Sequence, residues 1–559
     1  MTPRQRQIKD AVTRFTELAK SNENVIEIAQ FGSSITGKKV PKDFDLMVFV
    51  DNITCIPRIA RCARSVTSIY HAHDIFVFGK DRRYMGRICS RKNCPGDAAD
   101  CFAPGCGKTP HLKQISGFTF REEVAFKKKP LILYKIPGTG ITESWYNEAK
   151  KYMLKKSTIL RKEYFGGIAF NRDNAATIQV DGGLYEILAG LHSKKSIKDI
   201  IDASKNSRAP SCIEKLEKLG FITDATDQED ILPYTPNETI EGCLSAPEVV
   251  HLSVTGRCNL DCEFCYAQKN EKDMTTKEIT SLIDELSEMK VFQVAIGGGE
   301  PLLRDDIYRI LSYCKKKGIV ANITTNGTLL EGGAVKKLKK IAGQVNLSVN
   351  ECLKTQDCRD RILMLACAGI RTGINLMASK KNIGTLENTI QDLLKYPVES
   401  ITLLRPKPAK DDAWYNENRL DKDDLVRLKS AITTSKHPGK IRVDCSLVSL
   451  MHDVSPSVLE YKSIFGCVGG VRFCTIRNNG DVYPCSFFGE RQYLAGNVPE
   501  SGFKKIWKEA QIFKTFRTMN NKIKGRCRKC RIKDNCKGCR RIALKVNNDF
   551  YSEDICPGC

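Results

Sequence analysis

The chain has no run of eighteen consecutive apolar residues, so nothing in it reads as a membrane-spanning helix. Its opening stretch, MTPRQRQIKD, leads into no apolar core of the kind a secretory signal carries. Together these absences predict a soluble, cytoplasmic protein. Acidic residues are scarce at both ends. Residues 501 to 545 hold 2 Asp+Glu against 16 Lys+Arg, and residues 1 to 165 hold 16 against 30. Each of these stretches is +14 while the whole chain is +24, so the remainder is slightly acidic.

Cysteine, by contrast, is abundant: 25 of 559 residues. Disulfides seldom persist in a reducing compartment, so this number without an export signal points to metal or cluster ligation. At roughly 150 residues per domain the length predicts three or four domains.

Cys258, Cys262 and Cys265 stand in TGRCNLDCEFCYA, a CxxxCxxC with an aromatic residue before the last cysteine and no fourth cysteine nearby. Three thiolates on a short loop can hold three irons of a four-iron four-sulfur cluster and leave one iron open to a small ligand. A zinc knuckle would need four protein ligands, usually from a second CxxC or from histidines. The loop resembles the signature of radical S-adenosylmethionine (SAM) enzymes. That resemblance implies a cluster whose open iron binds the amino and carboxylate groups of SAM. It also implies reductive cleavage to a 5′-deoxyadenosyl radical, hydrogen abstraction from an unreactive carbon, a flavodoxin- or ferredoxin-type electron donor and an anaerobic setting. The protein's share is to exclude water and hold the target carbon close.

Four blocks separate on pattern. Residues 1 to 165 contain strand-like DFDLMVFV and DIFVFG, interrupted by a cysteine-bearing insertion at about 89 to 111. Residues 166 to 235 run from ATIQV through helical LYEILAGL, SIKDIIDAS and CIEKLEKLG to a short FIT, the order of a small winged-helix module. An acidic, proline-bearing linker follows. From 247 to about 440, strand-like VVHLSV, FQVAIG, IVANITT, QVNLSV, TGINLMA and SITLLR alternate with helical patterns. Six such repeats predict a parallel, curved sheet or partial barrel of the (β/α)6 type, with its active loops after the strands. Residues 441 to 559 are cysteine-dense and poor in long periodic runs, so this block is expected to depend on metal for its fold. The fold class is therefore multidomain α/β.

After the second barrel strand come Gly297, Gly298, Gly299, Glu300 and Pro301. Glycines let the backbone approach a ligand closely, and a strand end presents unpaired backbone groups. The stretch resembles the GGE segment of radical SAM enzymes. By that resemblance Gly298, Gly299, Glu300, Asn326 and Ser348 contact SAM and Tyr266 lies near its adenine. Asn350, Glu351 and Cys352 depart from the acidic-glycine loop common in peptide-modifying members, with Asp357 and Arg361 available to supply part of it.

Near the C-terminus, Cys467 is followed by twelve residues, Gly480, four residues and Cys485, then by Cys527, Cys530, Cys536, Cys539, Cys556 and Cys559. The order resembles the SPASM domain of peptide-maturing radical SAM enzymes, with its GNV and IW segments at 496 to 507. By that resemblance Cys467, Cys474, Cys485 and Cys539 hold one auxiliary four-iron four-sulfur cluster, and Cys527, Cys530, Cys536 and Cys556 hold a second. With the SAM-binding cluster that makes three. Two residues separate Cys536 from Cys539 where three are usual, and Cys559 rivals Cys556. The CxxC spacing also suits a pair of zinc sites. Cations in CRKCRIKDNCKGCRR would stabilise a dianionic cluster.

In the first block, Phe31, Gly32 and Ser33 precede Asp43 and Asp45. Two aspartates at i and i+2 on a strand share a face and can share magnesium ions, and the Gly-Ser turn can cradle a triphosphate. Asp74 could be a third carboxylate on a neighbouring strand. The set resembles the minimal nucleotidyltransferase fold, which implies catalytic Asp43, Asp45 and Asp74 with Mg2+ and a nucleoside triphosphate. Cys89, Cys94, Cys101 and Cys106, with His111 nearby, favour structural Zn2+ or another cluster. The remaining nine cysteines, Cys314, Cys352 and Cys367 among them, read as buried small hydrophobes. The block at 166 to 235 resembles the PqqD-like element that binds a leader peptide as an added strand; a generic winged helix is the alternative. Taken together, the chain reads as a radical SAM/SPASM enzyme that modifies a peptide or protein. The competing readings are a nucleotidyltransferase or RNA-associated enzyme acting on a nucleotide-linked small molecule, and a front half that is only a binding scaffold. Nucleic acid is the less favoured partner of the basic N-terminal half, and no membrane partner is expected.

Overall fold

The computed structural model describes residues 2–35, 41–89, 111–113, 119–126, 128–149, 151–191, 209–224, 232–236, 239, 242–267, 271–349, 356–409 and 412–558. These fall into two compact units, Met1–Leu154 with Gly190–Asp230, and Lys155–Ala189 with Ile231–Cys559. No helix among the described residues is long and apolar enough to cross a membrane.

The first unit opens with the helix Pro3–Ala19. Thr2 and Gln5 each accept the other's backbone N–H, a capping box that satisfies two otherwise orphaned donors. Ile8, Ala11, Val12, Phe15 and Ala19 form its buried stripe. The strands β1 (Val25–Phe31), β2 (Phe44–Val50), β3 (His73–Gly79), β4 (Tyr84–Ile88), β5 (Leu112–Lys113) and β6 (Leu131–Lys135) make one sheet, ordered β5-β4-β3-β2-β1-β6. β2 and β3 run parallel with Asp45 beside Asp74, and antiparallel β1 sets Phe31 opposite Asp45. The turn leaving β1 therefore meets the carboxylates. A short β7 (Tyr152–Leu154) completes this part. Cys89 and His111 are buried, whereas Cys94, Cys101 and Cys106 lie outside the described residues.

The compact units do not follow the sequence boundaries at 165 and 235. A three-stranded sheet of β8 (Thr158–Glu163), β9 (Gly166–Asn171) and β10 (Thr177–Asp181) belongs to the second unit. β8 escapes a hydrophobicity pattern because two of its buried side chains are charged. Arg161 and Glu163, both with fully buried side chains, pair at 2.7 Å. Arg161 also donates to the carbonyls of Ala246, Pro247 and Lys290, and Glu163 accepts from the Ser245 N–H and hydroxyl. Phe170 stacks on Phe292 at 4.9 Å, which fixes this sheet to the barrel. The helix Gly182–Gly190 follows β10. The stretch SIKDIIDAS lies outside the described residues; the helix Ala209–Lys218 and β11 (Ile222–Asp224) return to the first unit, where β11 pairs with β7.

The six barrel strands read from the sequence are β12 (Val249–Thr255), β13 (Gln293–Gly298), β14 (Val320–Thr325), β15 (Gln344–Ser348), β16 (Thr372–Met377) and β17 (Ser400–Leu404). All pair in parallel. The sheet is larger than six, however. β18 (Ile441–Val443) extends one edge, and β19 (Phe473–Ile476) pairs in parallel with β12 at the other, followed by antiparallel β20 (Asp481–Tyr483) and β21 (Gly496–Asn497). The last block thus continues the barrel sheet and is not held by metal sites alone; it also buries Phe488, Phe516 and Met519 together. On β12, Val250, Leu252 and Val254 enter the apolar core, leaving His251, Ser253 and Thr255 on the opposite face.

Replacing Arg161 by methionine strands the buried Glu163 carboxylate, a loss of about 3–5 kcal/mol. R161M is expected to lower the denaturant midpoint of the second unit, and R161M/E163L to recover most of it. An unchanged midpoint in R161M would remove the ion pair from the account of this sheet.

Candidate active site and cluster sites

The loop carrying Cys258, Cys262 and Cys265 leaves the C-terminal end of β12, and all three thiols are half-buried. The neighbouring strand holds it in place. Gly299 N–H donates to Thr255 O at 2.8 Å and Glu300 N–H to Arg257 O at 2.8 Å. A Cβ at Gly299 would stand 2.0 Å from the Arg257 carbonyl, and one at Gly298, where φ is +120°, 2.4 Å from that of Thr255. The glycines are thus required by the cluster loop itself. Asp273 accepts from the Thr255 hydroxyl and Gly256 N–H, bonds that outweigh its burial and hold its carboxyl below the usual range.

Glu300 is buried, and its carboxylate accepts from the Leu302 and Asn326 N–H groups and the Thr325 hydroxyl. Burial nevertheless pushes its carboxyl up. It braces the strand ends. Asn326 donates to Asn259 Oδ1 at 2.9 Å, and Asn259 donates to Thr328 Oγ1 at 2.8 Å. Asn259 follows Cys258, so the Thr-Asn-Gly turn also braces the cluster loop. Ser348 ends β15 half-buried. Asn350, Glu351 and Cys352 lie outside the described residues, as do Cys559 and the side chain of Asp357.

Tyr266 packs on Phe487 at 4.9 Å and on His251 at 6.1 Å. Burial pushes its hydroxyl up to about 12 and His251 down to about 4. Ser486 lies between Thr475 Oγ1 at 2.8 Å and His251 Nδ1 at 3.2 Å. Ser486, Thr475 and Tyr266 line a cavity of about 280 Å³ together with Ser253, Thr255, Gly298, Arg477 and Asn478. Phe264, before the last loop cysteine, lies 5.8 Å from Trp414.

Two further thiol groups occupy the last block. Cys527, Cys530, Cys536 and Cys556 line one cavity of about 380 Å³, with His452, Lys533 and Lys537. Burial, then the neighbouring Asp554, Cys527 and Cys556, push Cys536 up to about 12. In the second group Cys445, Cys467, Cys485 and Cys539 interact electrostatically around Lys407. Cys474 is placed elsewhere. It sits on β19 beside Val250, inside the apolar core, where burial raises its thiol against the opposing charge of Arg517. Cys445 was counted among the nine cysteines without a site; an aspartate directly before it, Asp444, is the signal that could have drawn notice. Of the other counted hydrophobes, Cys314 is buried and Cys367 is exposed. The Cys536 carbonyl accepts from Cys467 N–H, which ties the two groups together. The buried pair Arg405–Asp554 at 3.1 Å locks them further, because Asp554 also accepts from Cys539 N–H. Three thiols on one loop suit a cluster with an open iron, and four thiols in each of the two groups suit closed clusters. Among the described residues no three His, Cys, Asp or Glu side chains converge on a single-ion site.

In the first unit Asp43, Asp45 and Asp74 gather at the strand ends. Ser33 Oγ donates to Asp43 at 3.1 Å, Arg87 pairs with Asp74 at 2.6 Å, and a Cβ at Gly32 (φ +75°) would meet Asp45 at 2.4 Å. Burial, then Asp43 and Asp74, push Asp45 up to about 7, with Arg87 opposing.

The Radical SAM superfamily profile matches residues 252–362, and the SPASM iron-sulfur cluster-binding profile matches 467–531. The chain is similar to an AdoMet-dependent heme synthase of Methanosarcina barkeri, 28% identical over 345 residues, 56% of this chain and 96% of the relative. It is similar to the mycofactocin maturase MftC of Mycobacterium tuberculosis, 28% identical over 319 residues, 54% of this chain and 80% of the relative. Streptococcus suis SuiB, solved with S-adenosylmethionine and with its precursor peptide SuiA, superposes with a TM-score of 0.56 at 21% identity, covering 72% of this chain and 99% of SuiB. Residues 252–362 therefore form a radical SAM domain and residues 467–531 a SPASM iron-sulfur cluster-binding domain.

Proposed function

We propose that the chain modifies a precursor peptide or protein by hydrogen abstraction, with a SAM-binding cluster on Cys258, Cys262 and Cys265 and two auxiliary clusters. The observation that carries this reading is the three-thiol loop braced at the ends of parallel strands, with two four-thiol groups in the following domain. The auxiliary ligands are Cys445, Cys467, Cys485 and Cys539, and Cys527, Cys530, Cys536 and Cys556. When bound, the first cluster supplies, from a flavodoxin- or ferredoxin-type donor, the electron that cleaves SAM to methionine and a 5′-deoxyadenosyl radical. The chain's own residues position and shield. Gly298 and Gly299 let the strand close on the loop, Asn326 and Thr328 hold Asn259, and Phe264, Tyr266, Phe487 and Trp414 supply aromatic surface that keeps water from a reactive radical.

A peptide is favoured over the tetrapyrrole that the heme-synthase relatives suggest, because SuiB, whose structure includes a precursor peptide, covers more of this chain than residues 247–559 contain. The sheet β8 to β10 with the helix after it supports leader binding by strand addition within 166 to 235. The first unit is proposed as a nucleotidyltransferase using Mg2+ and a nucleoside triphosphate, on the placement of Asp45 beside Asp74 and of Asp43 against Ser33 at the Gly32-Ser33 turn.

Anaerobic reconstitution is expected to give about twelve irons per chain, and alanine at Cys258, Cys262 and Cys265 to remove about four together with all SAM cleavage. C445A is expected to lose iron from the last block while C474A keeps it. Zinc in place of iron, without cleavage, would sink the radical reading; iron loss in C474A but not C445A would restore the alternative ligand set.

The variant D43N/D45N is expected to abolish pyrophosphate release from nucleoside triphosphates and to leave SAM cleavage intact. Mg2+ must displace the proton from Asp45 below about pH 7, so calorimetric Mg2+ affinity should weaken on going from about pH 8 to about pH 6, and not in D45N. Without metal the sign reverses: a carboxyl raised from 3.8 to about 7 lends stability below its unfolded value that is lost as pH rises through about 7. A pH-independent affinity would show that Asp45 is not a ligand.

A further inference from the structure

Directly beyond the barrel strand β17 come Arg405, Pro406 and Lys407. Lys407 is only 9% exposed, an unusual place for an ammonium group. Its Nζ pairs with Asp444, the residue before Cys445, and lies 4.9 Å from the centre of the Phe487 ring, two residues after Cys485. Phe487 in turn packs on Tyr266, the residue after Cys265. Lys407 also interacts electrostatically with Cys445 and Cys539. It therefore stands among the flanks of three proposed ligands of one auxiliary cluster and faces the SAM-binding loop across two aromatic rings.

Two features separate this lysine from an ordinary buried ion pair. Asp444 already accepts from the Ser446 N–H at 2.8 Å and the Ser446 hydroxyl at 2.6 Å, so its charge is shared with donors other than Lys407. An ammonium has three N–H groups, and Asp444 is the hydrogen-bond partner of Lys407 among the described residues. Two of its N–H groups are thus without a partner among the described residues.

We propose that Lys407 is a charge-positioning residue for the auxiliary cluster of Cys445, Cys467, Cys485 and Cys539: its ammonium faces the cluster and raises that cluster's reduction potential relative to the Cys527, Cys530, Cys536 and Cys556 cluster. This rests on the ligand assignment above. The reason is electrostatic. Reduction adds one negative charge to an already anionic cluster, and a nearby cation inside a low-dielectric site favours the reduced form. A cluster so tuned is the better acceptor for the single electron that returns when a substrate radical is oxidised, and it lies on the Tyr266 side of the barrel where that radical would form.

The test is a redox titration of the reconstituted full chain followed by electron paramagnetic resonance, with iron content measured alongside. K407M with full iron is expected to lower the midpoint potential of one auxiliary cluster and leave the other two clusters unchanged, whereas K407R stays near wild type. Lys429 on the surface serves as control, since K429M should move nothing. If K407M loses iron, D444N decides: removing the opposing carboxylate should raise the same potential. Unchanged potentials in K407M with full iron, or in D444N when K407M cannot hold its cluster, would overturn the proposal. Retention of all iron by C445A and C467A would instead overturn the ligand assignment on which it rests.

Discussion

The barrel closes on its cluster loop through a backbone contact that leaves no room for a side chain. Where β13 ends, Gly299 and Glu300 donate their N–H groups to Thr255 and Arg257, and no side chain fits between the two segments. Everything catalytic is built outward from that contact. Glu300 turns inward and collects three donors from its own turn and from the next strand's, so the cluster loop, the glycine turn and the Thr-Asn-Gly turn become one hydrogen-bonded body. A loop whose cysteines must keep fixed relative positions gains rigidity from strands that are themselves buried on both sides.

A second constraint acts at the other edge. β19 continues the barrel sheet beyond β12, so the thiol-rich domain is joined by strand pairing and not merely docked. This explains why Cys474 is unsuited to a cluster: a strand residue directly beside Val250 points its thiol into the same apolar layer as its neighbour. Cys445 lies after β18 at the opposite edge, yet reaches the thiols of Cys467 and Cys485 because the sheet curves. Two buried ion pairs, Arg405–Asp554 and Lys407–Asp444, hold these remote segments together. Such pairs do little for net stability but specify one arrangement of the chain ends.

The six parallel strands were legible in the sequence because each is an apolar run bounded by turn residues, and the cluster loop because its cysteine spacing is local. The edges were not. β18 and β19 are too short for a pattern, and β8 hides behind Arg161 and Glu163, whose burial depends on carbonyls and a serine some eighty residues or more away in sequence. Ligand sets drawn from distant segments are nearly as hidden: Cys445 is 22 residues from Cys467, and locally the preceding Asp444 alone sets it apart from a packing cysteine. The bracing bonds of Glu300 were not legible either, because they join it to Thr325 and Asn326 at the end of the next strand.

The charge distribution has a corresponding logic. The basic run at the C-terminus surrounds thiols that must be deprotonated to bind iron, and burial alone pushes thiols such as Cys536 and Cys485 upward, away from the thiolate. Cations near those thiols offset that cost, but exposed lysines and arginines are screened by water and salt. The buried Lys407 and Arg405 are not. Their placement just beyond a barrel strand makes the charges beside Cys445 and Cys539 part of the barrel's own framework.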